Sequence, residues 1–423
     1  MIQVKEKSQL KKSNKDLWKY AVFFFAFTVL YHIIVVNRLG LWKLNDVTYS
    51  VYCMDFSFGF AAKLLPGAVF RLLFGSDASR LSANIYAVIL ILIFFAGLSV
   101  LLSKFMLRMP QQYKNSALVL LFFFITGGYT FAIYTKWVGI LDTNWLLISL
   151  VFFLCLECRK LRWCIPLLFV LSLFIHYSAI VFFLTTFSIL LLYKASVTDS
   201  KKERIEMLVV FAVSVIITFV LFFFFILNES LMIGSLEDLR KMLVQRGVEN
   251  TTYQEYAFFR LWDGKSFIPD SLNHMKPSPM KFVYLFYYQA KLLFDILLRL
   301  PEESLTMSIG GFLLVIPLVI FIMNIYRKRM RGESTRFKRF CAFIMFMQFP
   351  FVYALAIPFA ISVDMTRYLA HGLLAIFTCL LYVLYQEEEA RKTVFKQIAG
   401  YQNSLALKIY FLAYATVTFM PSI

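Results

Sequence analysis

Apolar residues along this chain fall in long unbroken runs, parted by short polar stretches that are mostly basic. Runs of this kind, without strict alternation, predict helices that cross a bilayer and exclude a β-barrel. Candidate spans cover 18–36, 84–106, 116–134, 144–157, 207–227, 306–326, 340–361, 368–385 and 404–420. The run 164–193 fits less simply. As one helix it would be about 45 Å long, against a hydrocarbon core of about 30 Å. Arg159, Lys160 and Arg162 precede it, and Lys194, Lys201, Lys202 and Arg204 follow it. Both flanks therefore read as cytoplasmic, which requires an even number of crossings between them. The expectation is two short helices turning at His176, Tyr177 and Ser178, or a re-entrant hairpin. The alternative is one long tilted helix, which would put the basic stretch 327–339 outside.

The fold class expected is therefore all-α. It is a polytopic transmembrane helical bundle of about 10–11 membrane segments, a single integral membrane domain over 1–423 with its N-terminus cytoplasmic. The basic N-terminal stretch leads into an apolar run with no small-residue cleavage site, which reads as an uncleaved first span of a plasma-membrane protein. Two long loops fall outside, 37–83 and 228–305. In the first, Lys63 and Arg71 bracket an apolar stretch suited to an interfacial helix, which Pro66 and Gly67 would break. In the second, Lys281, Lys291, Asp295 and Arg299 interrupt a greasy segment and argue for another interfacial helix rather than a crossing. No internal repeat or linker is visible.

Composition sharpens the class. Hydrophobic residues make up 60 % of the chain and charged residues 16 %, with a mean hydropathy of +0.72. An ordinary soluble domain has about 45–50 % and about 25 %, so soluble and disordered classes are excluded. The net charge of +18 lies almost wholly on segments assigned to the cytoplasmic side. It is a topology signal, and nucleic-acid binding loses its support. The 48 Phe residues are what an AT-rich genome produces and do not by themselves argue for an aromatic site. Cys155 and Cys158 stand three apart with no second pair at zinc spacing, so they read as structural.

Chemistry-bearing candidates gather at the expected outer face. They are Asp46 and Asp55 after the first span, Asp142 in a short turn, His176 at the hairpin tip, and Asp364 and Arg367 in the turn DMTRY. His176 interrupts a 30-residue apolar run, where an ionisable group is costly and marks function. It suits a donor to phosphate or sugar, or a proton acceptor. Arg367 can clamp phosphate through paired donors, and His371, four residues on, shares its helix face. The other histidines, His32, His274 and His371, lack the setting of His176 in the sequence. Walker, HExxH and GxSxG motifs are absent. A membrane enzyme without them needs a substrate that carries its own activation, such as a saccharide on a polyprenyl phosphate.

The layout resembles multi-spanning bacterial saccharide enzymes of the GT-C type and the Wzy-like or EpsG-like polysaccharide polymerases. The shared features are an acidic, partly membrane-bound loop directly after span one, a short hairpin bearing IHYSA, and one further long outer loop. The His-x-Ser element in an apolar run is similar to the EpsG-like pattern. The resemblance implies a glycosyltransferase or polymerase that joins lipid-linked saccharides for a cell-surface polysaccharide, with membrane lipid and a polyprenyl-phosphate-linked saccharide as partners. By that likeness Asp46 or Asp55 is the base; from the residues themselves, His176 is expected to be catalytic too, and Arg367, Asp364, Arg71, Asp142 and His371 to bind substrate. No cofactor is implied. The first loop holds no Asp-x-Asp or Glu-x-Asp pair, which leaves a divalent metal open. The other classes compatible with these residues are a flippase for the lipid-linked saccharide and a membrane O-acyltransferase with His176 as base.

Overall fold

A computed structural model describes residues 2–37, 42–75, 79–126, 139, 141–232, 235–259, 261–262, 265–266, 268–273, 275–297, 302–332, 335–359, 365–401 and 404–416. Within them the protein is helical apart from one short ladder, in which Leu261–Trp262 pairs antiparallel with Lys265–Ser266. The helices used below are α1 (Ile2–Tyr31), α2 (Asp46–Tyr52), α3 (Leu65–Phe74), α4 (Arg80–Leu107), α5 (Lys114–Thr126), α6 (Asp142–Glu157), α7 (Ile165–Ile175), α8 (Thr185–Val197) and α9 (Lys201–Met232). They continue as α10 (Leu236–Gln245), α11 (Thr252–Phe259), α12 (Pro279–Leu297), α13 (Glu302–Gly332), α14 (Arg336–Phe359), α15 (Met365–Gln386), α16 (Glu388–Tyr401) and α17 (Leu405–Thr416).

Among the described residues, three segments are long and apolar enough to cross a membrane: Lys15–Val36, Arg80–Leu107 and Lys201–Asn228. A fourth is reached if α15 and α16, bent by 117° at a short break, count as one span. Helices also occupy the described parts of the other apolar runs, with 13 residues described in α5, 16 in α6 and 12 in α17. A straight crossing needs about 20.

The run 164–193 is broken and folded back. Arg162 pairs with Glu203 and Arg159 with Glu206, so α7 begins beside the start of α9. Phe174 at its other end meets Phe225 near the far end of α9, with ring centroids 5.1 Å apart. His176 then leaves the helix with extended backbone (φ −170°, ψ 134°) and Tyr177 packs on Phe222. The chain returns through a widened helical turn at Ile180–Leu184 into α8, where Lys194 reaches Glu157 at 3.1 Å. Phe169 on one arm and Phe187 on the other face each other at 6.0 Å.

The bundle thus has two distinct ends. One carries the first loop, α2, α3 and the hairpin tip. The other collects Arg108 over the Tyr385 ring, Lys194 on Glu157, and Arg159 and Arg162 on α9.

Local chemistry builds the first loop. Asn45 caps α2, its Oδ1 accepting from Thr48 N–H at 2.8 Å, which satisfies one orphan donor of the helix start. Pro66 does not break α3. It sits in the opening turn of the helix, where a missing N–H costs nothing. The helix therefore starts at Leu65, and Lys63 lies before it with a left-handed backbone (φ 73°). Gly67 is needed for a different reason: a Cβ there would come within 1.7 Å of the Met54 carbonyl oxygen. The second long loop contains α12, which buries Lys281 and Leu285 and leaves Met280, Val283, Tyr284 and Tyr287 exposed on its other face.

Candidate functional site

The first-loop end holds two clusters of polar residues, joined through the hairpin tip. Asp55 organises the first. It follows α2, and its Oδ1 accepts from the backbone N–H and the hydroxyl of Ser57. Its Oδ2 takes Arg71 Nε at 2.6 Å and Arg246 Nη1 at 3.2 Å. Burial alone would raise the Asp55 carboxyl, but the Ser57 donors and the two guanidiniums outweigh it and hold the group below the usual carboxylate range. An anion with both oxygens occupied and a depressed pKa is a weak base.

Arg71 reaches this point from α3, and Arg246 from the C-terminal cap of α10. The α10 end is shaped by Gly247, whose φ of +78° permits the paired closing bonds Val248 N to Leu243 O at 3.1 Å and Gly247 N to Val244 O at 3.0 Å. That is a glycine-terminated helix end, and it fixes the residue before the glycine. The Arg246 guanidinium also donates to Cys53 O at 2.6 Å and to Ser57 Oγ at 2.9 Å, and lies over the Phe58 ring. Its own carbonyl accepts from the Tyr49 hydroxyl at 3.2 Å. Behind it, Arg240 grips Glu255 through two bonds of 2.7 and 2.6 Å.

Trp145 is the hub of the second cluster. Its indole N–H donates to Ser172 O at 3.0 Å, which ties α6 to α7 just before the hairpin tip. Its ring meets His176, His371 and Phe183 with centroids 6.1, 6.3 and 5.0 Å away. One turn back on α6, Asp142 is buried, and its Oδ2 lies 3.5 Å from Nε2 of the equally buried His371. The backbone N–H of Ser178 donates to His176 Nδ1 at 3.0 Å. That ring nitrogen therefore carries a lone pair, and Nε2 holds the proton of the neutral ring.

The two clusters meet along 174–177. Lys63 N–H donates to Phe174 O at 2.9 Å, while its buried ammonium lies over the rings of Tyr177 and Phe258, at 4.8 and 5.0 Å. From His371 an apolar cavity of about 200 Å³ runs between α4, α6, α8 and α15. Phe94, Leu98, Leu150, Phe153, Phe187 and Leu374 are among its walls, and Glu157 and Tyr385 lie at its other end. Glu157 there accepts from Tyr382, Gln386 and Lys194 at 2.6, 2.8 and 3.1 Å.

Of the residues singled out from sequence, Asp55 and Arg71 thus form one ion pair, His176 and His371 meet at Trp145, and Asp142 faces His371. Asp46 stands apart, half exposed at the start of α2 and paired with Arg80 at 2.7 Å. Arg367 lies in the first turn of α15, one helical turn before His371. Asp364 lies outside the described residues, as does His274. Among the described residues, no group of three or more His, Cys, Asp or Glu side chains is placed to hold a metal ion.

Sequence reasoning missed Arg246, Lys63 as a buried cation, Trp145 and His32. Only Trp145 left a usable signal, three residues after Asp142 and so on the same helix face. The reading that His371 and His32 lack a special setting is corrected: both are buried. His32 Nδ1 bonds Thr28 O at 2.7 Å, which requires its proton there, and Nε2 has no hydrogen-bond partner. No protein-family model, no curated protein and no solved structure matches this chain.

Proposed function

We propose that this protein is a multi-pass plasma-membrane glycosyltransferase or polysaccharide polymerase, its first loop outside, acting on saccharides carried by a polyprenyl phosphate or pyrophosphate. The observation that carries the reading is the apolar cavity lined at one end by His371, which is paired with the buried Asp142. A hydrocarbon slot with one member of an acid–base pair in its wall suits a substrate with a lipid tail and a polar reacting end. Arginines stand at the same end of the bundle, where a leaving phosphate needs cations.

In the proposed step an acceptor hydroxyl oxygen attacks the anomeric carbon. The bond from that carbon to the phosphate oxygen breaks, and the lipid phosphate leaves with the electron pair. The hydroxyl proton passes to the His371 imidazole, oriented by Asp142. Arg367, one turn earlier on α15, and His176, through its Nε2–H, hold the phosphate or the sugar. Trp145 and Phe183 give the sugar an aromatic wall. Asp55, bound by two arginines, is assigned to phosphate handling rather than to proton abstraction, and Asp46 to the support of Arg80.

The test is the lipid-linked saccharide profile of cells lacking the protein. Complete single repeat units accumulating on the lipid identify a polymerase, and a unit short by one sugar identifies a single-sugar transferase. An unchanged profile with unchanged surface polymer overturns the reading. One observation favours a second reading, a flippase for the same lipid. The cavity follows α6 from Leu146 to Glu157 and has polar groups at both ends. Reconstituted protein that moves the lipid-linked saccharide across a bilayer without forming a bond would select it.

A further inference from the structure

The charge count at Asp55 is unequal. Two guanidiniums share one carboxylate oxygen, so two cations face Asp55. Three facts describe what this group is built to hold. First, the cations are fixed independently of the carboxylate. Arg246 stays anchored through Cys53 O, Ser57 Oγ and the Phe58 ring, and its backbone is clamped by Tyr49 and by the glycine-terminated end of α10. Arg71 is carried on α3, which Gly67 seats directly on the Met54 carbonyl. Second, all three side chains keep a little exposure, 15 to 17 %, so the cluster can be reached from outside. Third, the carboxylate is the locally tethered partner. Asp55 caps a single short turn, Phe56–Phe58, through Ser57. That turn closes on Gly59 at φ +139°, a conformation that favours glycine.

We propose that Arg71 and Arg246 form a phosphate-binding site that Asp55 closes, its carboxylate occupying the place of a phosphate group until one displaces it. A phosphate monoester brings three acceptor oxygens and up to two negative charges where a carboxylate brings two oxygens and one. It matches two arginines better than Asp55 does. The tethered carboxylate nevertheless competes at high local concentration, so the apparent affinity for phosphate is reduced by the fraction of closed sites. The site therefore opens for a strong phosphate ligand and stays shut to weaker anions. The inference rests on the reading above for the identity of the physiological ligand, but the binding itself needs no transfer reaction.

Calorimetric titration of the purified full chain in neutral detergent with inorganic phosphate tests it. Asp55→Asn removes the competing charge and keeps the hydrogen-bonding shape. It is expected to bind phosphate at least about tenfold more tightly than the wild type, and adding Arg246→Gln should abolish the gain. Asp55→Asn binding no more tightly than the wild type, or a gain that survives Arg246→Gln, overturns the proposal. If Asp55→Asn does not fold, the wild type carries the test. Phosphate should raise its melting temperature above that in chloride of equal ionic strength, and Arg246→Gln should remove the difference. No phosphate-specific rise in the wild type then overturns it.

Repeating the titration of Asp55→Asn in phosphatidylcholine discs with and without phosphatidic acid, whose headgroup is a phosphate monoester, separates the sources of phosphate. Loss of binding with phosphatidic acid identifies a lipid headgroup, and unchanged binding a soluble or saccharide-linked phosphate. Each result presupposes a working site. Tight phosphate binding in a protein that forms no glycosidic bond would remove the transferase reading and leave this site standing. Polymer synthesis by a protein whose Asp55→Asn form binds no more phosphate would overturn this proposal and leave the transferase reading standing.

Discussion

At the scale of single residues, the proposed function depends on partners far apart in the chain. His371 and Asp142 meet across the bundle, and Asp55 receives Arg246 from the C-terminal cap of α10. His371→Gln keeps the volume and a hydrogen bond but removes the proton acceptor. It is expected to lower polymer formation by about 10²-fold or more at unchanged protein level in the membrane. Wild-type polymer in that variant would take His371 out of the reaction. Arg367→Ala should abolish polymer while leaving the protein in the membrane, and normal polymer would remove Arg367 from the site. Acid stability follows from two carboxyls. Asp55 is held low by its Ser57 donors and arginines against the effect of burial, and Glu255 by its bonds from Arg240 first and from Thr251. The folded state therefore favours their ionised forms. That contribution is complete above the unfolded values, about 4, and is lost as pH falls through the lower folded values. Melting temperature in detergent should be level down to about pH 5 and drop below pH 4. The drop should shrink in Asp55→Asn with Glu255→Gln.

At the scale of elements, two glycines place the two arginines. Gly67→Ala would drive a methyl group to 1.7 Å from the Met54 carbonyl. Backbone lies on both sides of that contact, so α3 must lift off α2, at a cost of about 3 kcal/mol or more. Arg71 then leaves Asp55. Gly247→Ala has room, with its nearest neighbour the Tyr49 hydroxyl at 3.8 Å. It is strained only by its φ of +78°, worth about 1–2 kcal/mol. The first variant is expected to be recovered poorly. The second should fold with a melting temperature lower by several degrees and bind phosphate more weakly. Equal behaviour of the two would show that close approach does not set the α2–α3 contact. The helices themselves follow plain rules: Asn45 and Ser79 at N-caps, Pro66 in an opening turn, continuous apolar stretches between.

At the scale of the molecule, the charged residues sort to two ends of the bundle. Cys158 and Cys164 are free and exposed beside Arg159 and Arg162, at the end opposite the first loop. If the first loop faces outward, a membrane-impermeant maleimide should leave both unlabelled in intact cells and label them in inverted vesicles. Labelling in intact cells would reverse the orientation and move the proposed site to the cytoplasmic face.

Periodicity, composition and flanking charge were enough to predict long apolar helices and a break at His176, and they singled out a few ionisable groups in apolar surroundings. Each of these depends on local neighbours in the chain, or on charges flanking a run, and so is written into short windows of sequence. The hairpin was legible because seven cations bracket one run, and His176 because an ionisable group within an apolar run is costly, while Asp142 stood out only by its place in a short turn and His371 by its spacing from Arg367. The tertiary structure alone decided which of these groups meet. Arg246 on Asp55, Trp145 between two histidines, and Lys63 before α3 rather than on it all depend on how helices pack. Packing joins residues that no spacing in the chain relates.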